Sequence, residues 1–258
     1  MSDRSRRYPS GFVAHGAPFL ALDAALGEPF RQWGAGLPRP TAILVVSAHF
    51  ERAPLTIGAT ENKELLYDFS GFPRELYQVR YPAPGAPWLA DRVEQLLAGE
   101  ETARSERPLD HGVWTPLLHI APAADIPVLE ISMPHRDSPA RLFDTGRRLA
   151  PLRDEGVFIL GSGNLVHNLG RLDWTGTGMP PTWAAEFDAW IADVLARRDW
   201  DALIDYRERA PALGLAHPTE EHLRPILVAA GAAADDEVRF VHEGWEYGSL
   251  SRRTVQFG

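Results

Sequence analysis

The chain predicts an α/β fold, a single domain whose central, mostly parallel or mixed sheet is flanked by helices. Three observations carry that expectation. Short apolar runs alternate with longer segments of helical period along the 258 residues. Several of the runs are continuous rather than alternating, which suits strands covered on both faces. Three histidines, His15, His49 and His167, sit where apolar runs stop. Ligands in α/β folds bind at the C-terminal ends of strands, so imidazoles delivered there by separate strands point to a metal site.

In chain order, Gly11-Phe12-Val13-Ala14-His15 predicts the first strand, and helical patterning follows over 17–33. Strands are expected at 42–49 and 54–59, and helices at 86–98 and 113–120. Another strand covers 127–132. A helix over 138–152 opens with Ser138 as cap and Pro139 in its first position. The run 157–161 reads as a strand, and Gly161-Ser162-Gly163-Asn164 as a tight turn aiming His167 into a cleft. Thr182 caps a helix over 183–197. Thr219 caps another over 219–230, with Glu220, Glu221 and His222 in its first turn. Two acids there read as complements to the helix dipole. Strands at 238–242 and 250–256, joined by a short turn holding Gly244 and Gly248, are expected to pair antiparallel, which makes the sheet mixed. Proline clusters at 37–40, 81–84 and 179–181 mark stiff loops rather than a domain linker.

Composition removes several function classes. The net charge is −9 with no basic run, which argues against nucleic acid and against an anionic membrane surface. Cysteine is absent, so disulfides, thiolate nucleophiles and iron–sulfur clusters are excluded, and a transition metal would need His, Asp or Glu. Lys63 is the only lysine, lies in a polar stretch, and has no glycine-rich run before it, which argues against Schiff-base and Walker-type chemistry. The segment Met1–Arg7 is basic but has no apolar core behind it, unlike a secretory signal. No apolar run approaches the ~20 residues of a membrane span. The expectation is a soluble, cytoplasmic protein, monomeric or a small homo-oligomer.

Each histidine has two readings. His15 in Ala14-His15-Gly16-Ala17-Pro18 is a ligand or a turn histidine; His49 is a ligand or a satisfied core group. His217 and His222 are five apart, so they do not share a helical face, and His222 is the better ligand candidate. His111, in Asp110-His111-Gly112, reads as a substrate-binding or a surface histidine, and His119, in an apolar helix, as structural. Phe50, Tyr77 and Trp114 either line an aromatic pocket or pack in the core.

A set of motifs spans nearly the whole chain in one order. They are His15-Gly16-Ala17-Pro18, Ser47-Ala48-His49-Phe50, Asp68-Phe69-Ser70-Gly71-Phe72-Pro73 and Tyr81-Pro82-Ala83-Pro84-Gly85. They continue with Asp110-His111-Gly112-Val113-Trp114, Gly161 through Asn168, Pro218-Thr219-Glu220-Glu221-His222 and Gly248-Ser249-Leu250-Ser251. With them the chain resembles the DODA-type extradiol aromatic ring-opening dioxygenases of the class III, protocatechuate 4,5-dioxygenase β-subunit-like superfamily. The resemblance implies one catalytic domain over 1–258 and a non-haem Fe(II) centre held by His15, His49 and His222. His222 stands where the broader superfamily has a carboxylate, and an all-imidazole set also suits Zn(II). His167 matches the acid–base histidine and is a candidate fourth ligand, and His111 matches a further active-site histidine. The implied partners are a small aromatic diol such as dihydroxyphenylalanine and O2, both of whose atoms enter the product. Two alternatives on the same scaffold are a zinc-dependent hydrolase and a non-enzymatic interaction protein. An acidic catechol would call for a cationic partner such as Arg80 or Arg224.

Overall fold

The computed structural model describes residues 7–61, 64–175, 179–233 and 235–258. Lys63 and the first six residues lie outside the described residues. Among the described residues ten strands form: β1 Ser10–Ala14, β2 Ala42–Glu51, β3 Leu55–Ile57, β4 Thr102–Arg104, β5 Val128–Met133, β6 Val157–Gly163, β7 Val238–His242, β8 Trp245–Glu246, β9 Leu250–Ser251 and β10 Thr254–Phe257. Eight of them make one sheet in the order β4-β3-β5-β2-β6-β1-β10-β7, and β8 and β9 form a small hairpin.

The sheet is mixed, as expected. Strands β5, β2, β6 and β1 run parallel through its centre. β10 pairs antiparallel with both β1 and β7, so the two late strands are antiparallel neighbours. The expected strand 250–256 is divided between β9 and β10, because residues 250–251 turn back onto β8. β4 was not foreseen; it is a three-residue edge strand with no apolar run of its own.

Strand periodicity sorts the core into two layers. Phe12, Leu44, Val46, Leu129, Ile131, Val157 and Ile159 face the helices Pro87–Leu96, Pro139–Leu149, Thr182–Arg197 and Pro225–Ala233. Their neighbours Val13, Ile43, Val45, Val128, Phe158 and Leu160 face Ala24–Gly36 and His111–Ile120. Successive side chains of a strand point to opposite faces, so a continuous apolar run serves both layers at once.

Two local expectations are corrected. β6 continues through Ser162 to Gly163 instead of turning at Gly161. The glycines are there for clearance: a Cβ at Gly161 would lie 2.4 Å from the Pro225 carbonyl oxygen, and one at Gly163 2.0 Å from that of His222. The expected helix 219–230 begins only at Pro225, and Thr219 caps nothing. A proline ring crowds the carbonyl four residues back and lacks an N–H, so it is favoured in the first turn of a helix, although Pro29 and Pro116 are accommodated inside helices here. Residues 219–224 are therefore an irregular turn lying against the end of β6, with the His222 carbonyl accepting from Asn164 N at 3.0 Å.

Candidate metal centre

Strand register brings the early histidines together. β6 lies between β1 and β2, with Ala14 opposite Gly163 and Ser47 opposite Ser162. His15 follows the first pair directly, and His49 lies two residues beyond the second. Their rings lean over the glycine-flanked end of β6, where no large side chain blocks them, and their Nε2 atoms are 3.2 Å apart. The helix beginning at His111 adds a third ring, its centroid 4.1 Å from that of His49 and 5.6 Å from that of His15. The turn after Thr219 supplies His222, at 4.9 Å from His49 and 5.4 Å from His15. His167 stacks on His222 with centroids 3.5 Å apart and planes 12° from parallel. All five rings line one cavity of about 290 Å³.

The outer partners fix which nitrogen of each ring faces inward. The Ser162 hydroxyl donates to the Gly112 carbonyl, so it must accept from His15 Nδ1 at 2.9 Å. Asp68 Oδ1 accepts from His111 Nδ1 at 2.8 Å, and Glu221 Oε1 from His222 Nδ1 at 2.8 Å. A carboxylate only accepts, so both rings carry their proton on Nδ1. Three Nε2 lone pairs are thereby aimed at the cavity, and His49 Nδ1 lies 3.8 Å from Asp68 Oδ2. Such carboxylate and hydroxyl partners are what orient histidines on a metal.

Electrostatics agree with neutral, metal-ready imidazoles. Burial, then the neighbouring rings, hold His15 and His222 well below the ordinary imidazole range. Burial and then His111 lower His49 in the same way. Burial brings His167 down to about 4. Burial pushes Asp68 up, but the hydrogen bond from His111 outweighs it and the carboxyl comes to about 2. A divalent metal fits this donor set of buried rings with converging acceptors.

The residues fall into two tight groups, each able to hold a metal ion: His15, His49 and His111, and His167, Glu221 and His222, with ligand atoms in each group within 4.8 Å of one another. His217 stays outside the cavity, its Nε2 donating to the Leu165 carbonyl at 2.8 Å. His119 is structural, bonding the Leu20 carbonyl at 2.7 Å.

Of the two readings of Phe50, Tyr77 and Trp114, packing outside the cavity lining is the one the structure shows. Phe50 is buried under the Arg107 guanidinium, Trp114 Nε1 donates to the Leu66 carbonyl, and Tyr77 packs on Phe69. The cavity walls are Phe19, Phe69, Phe72, Trp174 and Tyr247, with Leu169, Leu172 and Leu250. These sit in loops, short 3₁₀ turns and the two-residue β9, none of which has a period to find them by. Asp68 and Glu221 were missed as partners for the same reason. Glu220, the other acid of that turn, accepts from Tyr206 and Arg207 outside the cavity.

Comparison with known proteins accords with this geometry. Residues 22–258 match the family described as the catalytic LigB subunit of aromatic ring-opening dioxygenase. The chain is 39% identical over 266 aligned positions to 4,5-DOPA dioxygenase extradiol of Escherichia coli K12, covering 98% of this chain and 96% of that one. It is 37% identical over 255 positions to the protein of the same name from Beta vulgaris, covering 95% of each. A crystal structure of an uncharacterized protein from Escherichia coli K12 superposes with a TM-score of 0.85 at 36% identity, over 98% of this chain and all of that one. The chain belongs to the LigB family of aromatic ring-opening dioxygenases and is a metal-dependent extradiol enzyme acting on a catechol-like ring.

Proposed function

We propose that residues 1–258 act as one catalytic unit that opens a catechol ring beside its diol, using Fe(II) held by His15, His49 and His222. The convergence of inward-facing imidazoles in one aromatic-walled cavity carries this reading. Bound there, ferrous iron supplies positive charge that favours ionisation of a catechol hydroxyl and the redox capacity that dioxygen chemistry needs. His167, neutral at working pH, is the base for the first catechol proton, and in a resting state it also lies close enough to His222 to serve as a fourth ligand. His111 holds its proton on Nδ1 against Asp68, which leaves Nε2 to accept and return a proton when the ring opens. The aromatic walls keep water from the reacting carbons and hold the ring near the imidazoles.

His111 also groups tightly with His15 and His49. Metal content separates the two assignments: His222→Ala should lose the ion and His111→Ala should keep it, and the reverse result would make His111 the ligand. The relatives' names put dihydroxyphenylalanine first among substrates to try. Anaerobic loading with Fe(II), followed by oxygen uptake on a catechol panel, tests the whole reading. One O2 consumed per catechol, with a semialdehyde product, is expected. Turnover with Zn(II) in the absence of oxygen would instead make this a hydrolase. Among the described residues no helix is long and apolar enough to cross a membrane.

A further inference from the structure

The inner and outer halves of the cavity differ in chemistry. Imidazoles and Asp68 form the inner end; Phe69, Phe72, Trp174, Tyr247, Leu169 and Leu172 form much of the outer walls. Among the described residues no arginine or lysine lines either half. The two cations that the sequence singled out for an acidic substrate are engaged elsewhere. Arg80 donates to the Tyr67 hydroxyl at 2.7 Å. Arg224 is buried, with Glu51 at 2.7 Å and the Pro134 carbonyl at 2.7 Å.

The backbone sites that attract anions are also taken. The helix that starts at His111 gives its first N–H to Asp68 Oδ1 at 3.1 Å. Ala17, on the cavity wall, has its backbone bonded to the Glu246 carboxyl. A substituent anion in this cavity would therefore meet aromatic faces, which are negative, and the Asp68 carboxyl group, which already accepts from His111.

Resting on the ring-opening reading, we infer that the enzyme selects catechols whose short ring substituent carries no negative charge. With the diol turned toward the imidazoles, a carboxylate on the ring or one methylene away falls inside the apolar walls and loses its water without gaining a partner. A longer side chain that carries its carboxylate past Leu169 and Trp174, which are 61% and 72% exposed, keeps it hydrated.

The test uses an isosteric pair, 3,4-dihydroxyphenylacetate and its primary amide, which differ chiefly in charge. Iron-loaded enzyme should favour the amide by at least about tenfold in kcat/KM, mostly through KM. Zn(II)-loaded protein without oxygen should bind the amide more tightly by a similar factor, read by tryptophan fluorescence. Leu172→Arg should shift both preferences toward the acid, and Leu169→Arg at the exposed rim is the substitute if that variant does not fold. An acid bound and turned over as well as its amide would overturn the inference while leaving the ring-opening reading intact. Absence of oxygen uptake with any catechol would instead overturn that reading, and the zinc binding data would still decide the charge preference.

Discussion

Two clusters of buried polar groups stand at opposite ends of the same strands, and they are built on opposite rules. At the N-terminal end of β1 and β6, Arg153 is 1% exposed. Its Nε donates to the Tyr8 carbonyl at 2.7 Å, its Nη1 to the Ala232 carbonyl at 2.6 Å, and its Nη2 pairs with Asp236. Donors face acceptors, and the arrangement is complete within the protein. At the C-terminal end, acceptors face acceptors: Nε2 of His15, His111 and His222 all turn inward once their Nδ1 protons are committed. Equal burial thus produces a fastening in one place and an appetite for a cation in the other.

The contrast breaks most sharply at His15. His15→Ala or His49→Ala should bring bound metal from about one per chain to near zero and reduce turnover ~10³-fold or more, measured by elemental analysis and oxygen uptake. Full metal content and turnover in His15→Ala would end the proposal. Arg153→Met should do the reverse, lowering unfolding free energy by about 3–5 kcal/mol in urea while metal per folded chain stays unchanged. A third variant probes the orienting layer. Asp68→Asn should weaken metal binding by roughly 10–100-fold, seen by calorimetry on apoprotein, without a matching loss of stability. The smallest effect is expected from Ser162→Ala, at about 1 kcal/mol or roughly fivefold in metal affinity. An effect there as large as at Asp68 would mean that the hydroxyl holds the backbone at Gly112 as well as the ring.

How much of this is legible in the sequence depends on what holds each residue. His15 and His49 end runs of strand-forming residues, and strand ends are legible because the whole run announces them. The antiparallel pairing of β10 with β7 is legible in two neighbouring late apolar runs, although the hairpin of β8 and β9 lies between them. Residues on irregular segments leave no such trace. Glu221 reads as a helix-dipole acid when Thr219 is taken as a cap, because the start at Pro225 is decided by the turn packing on β6. Asp68, Trp174 and Tyr247 come from loops, and Tyr247 adopts a left-handed backbone (φ 49°) that no local pattern foretells. The outer cavity is therefore the part least readable in advance.

One consequence follows from the placement of β1 between β6 and β10. β1 waits for two much later strands before either of its edges is covered. His15 acquires its orienting hydroxyl only with residue 162, the neighbouring His222 imidazole only with residue 222, and its second flank only with residues 254–257. Competence to capture an ion thus arrives long after His15 itself is made. A chain shortened before β10 should emerge as an open-edged, self-associating species rather than a weakened enzyme.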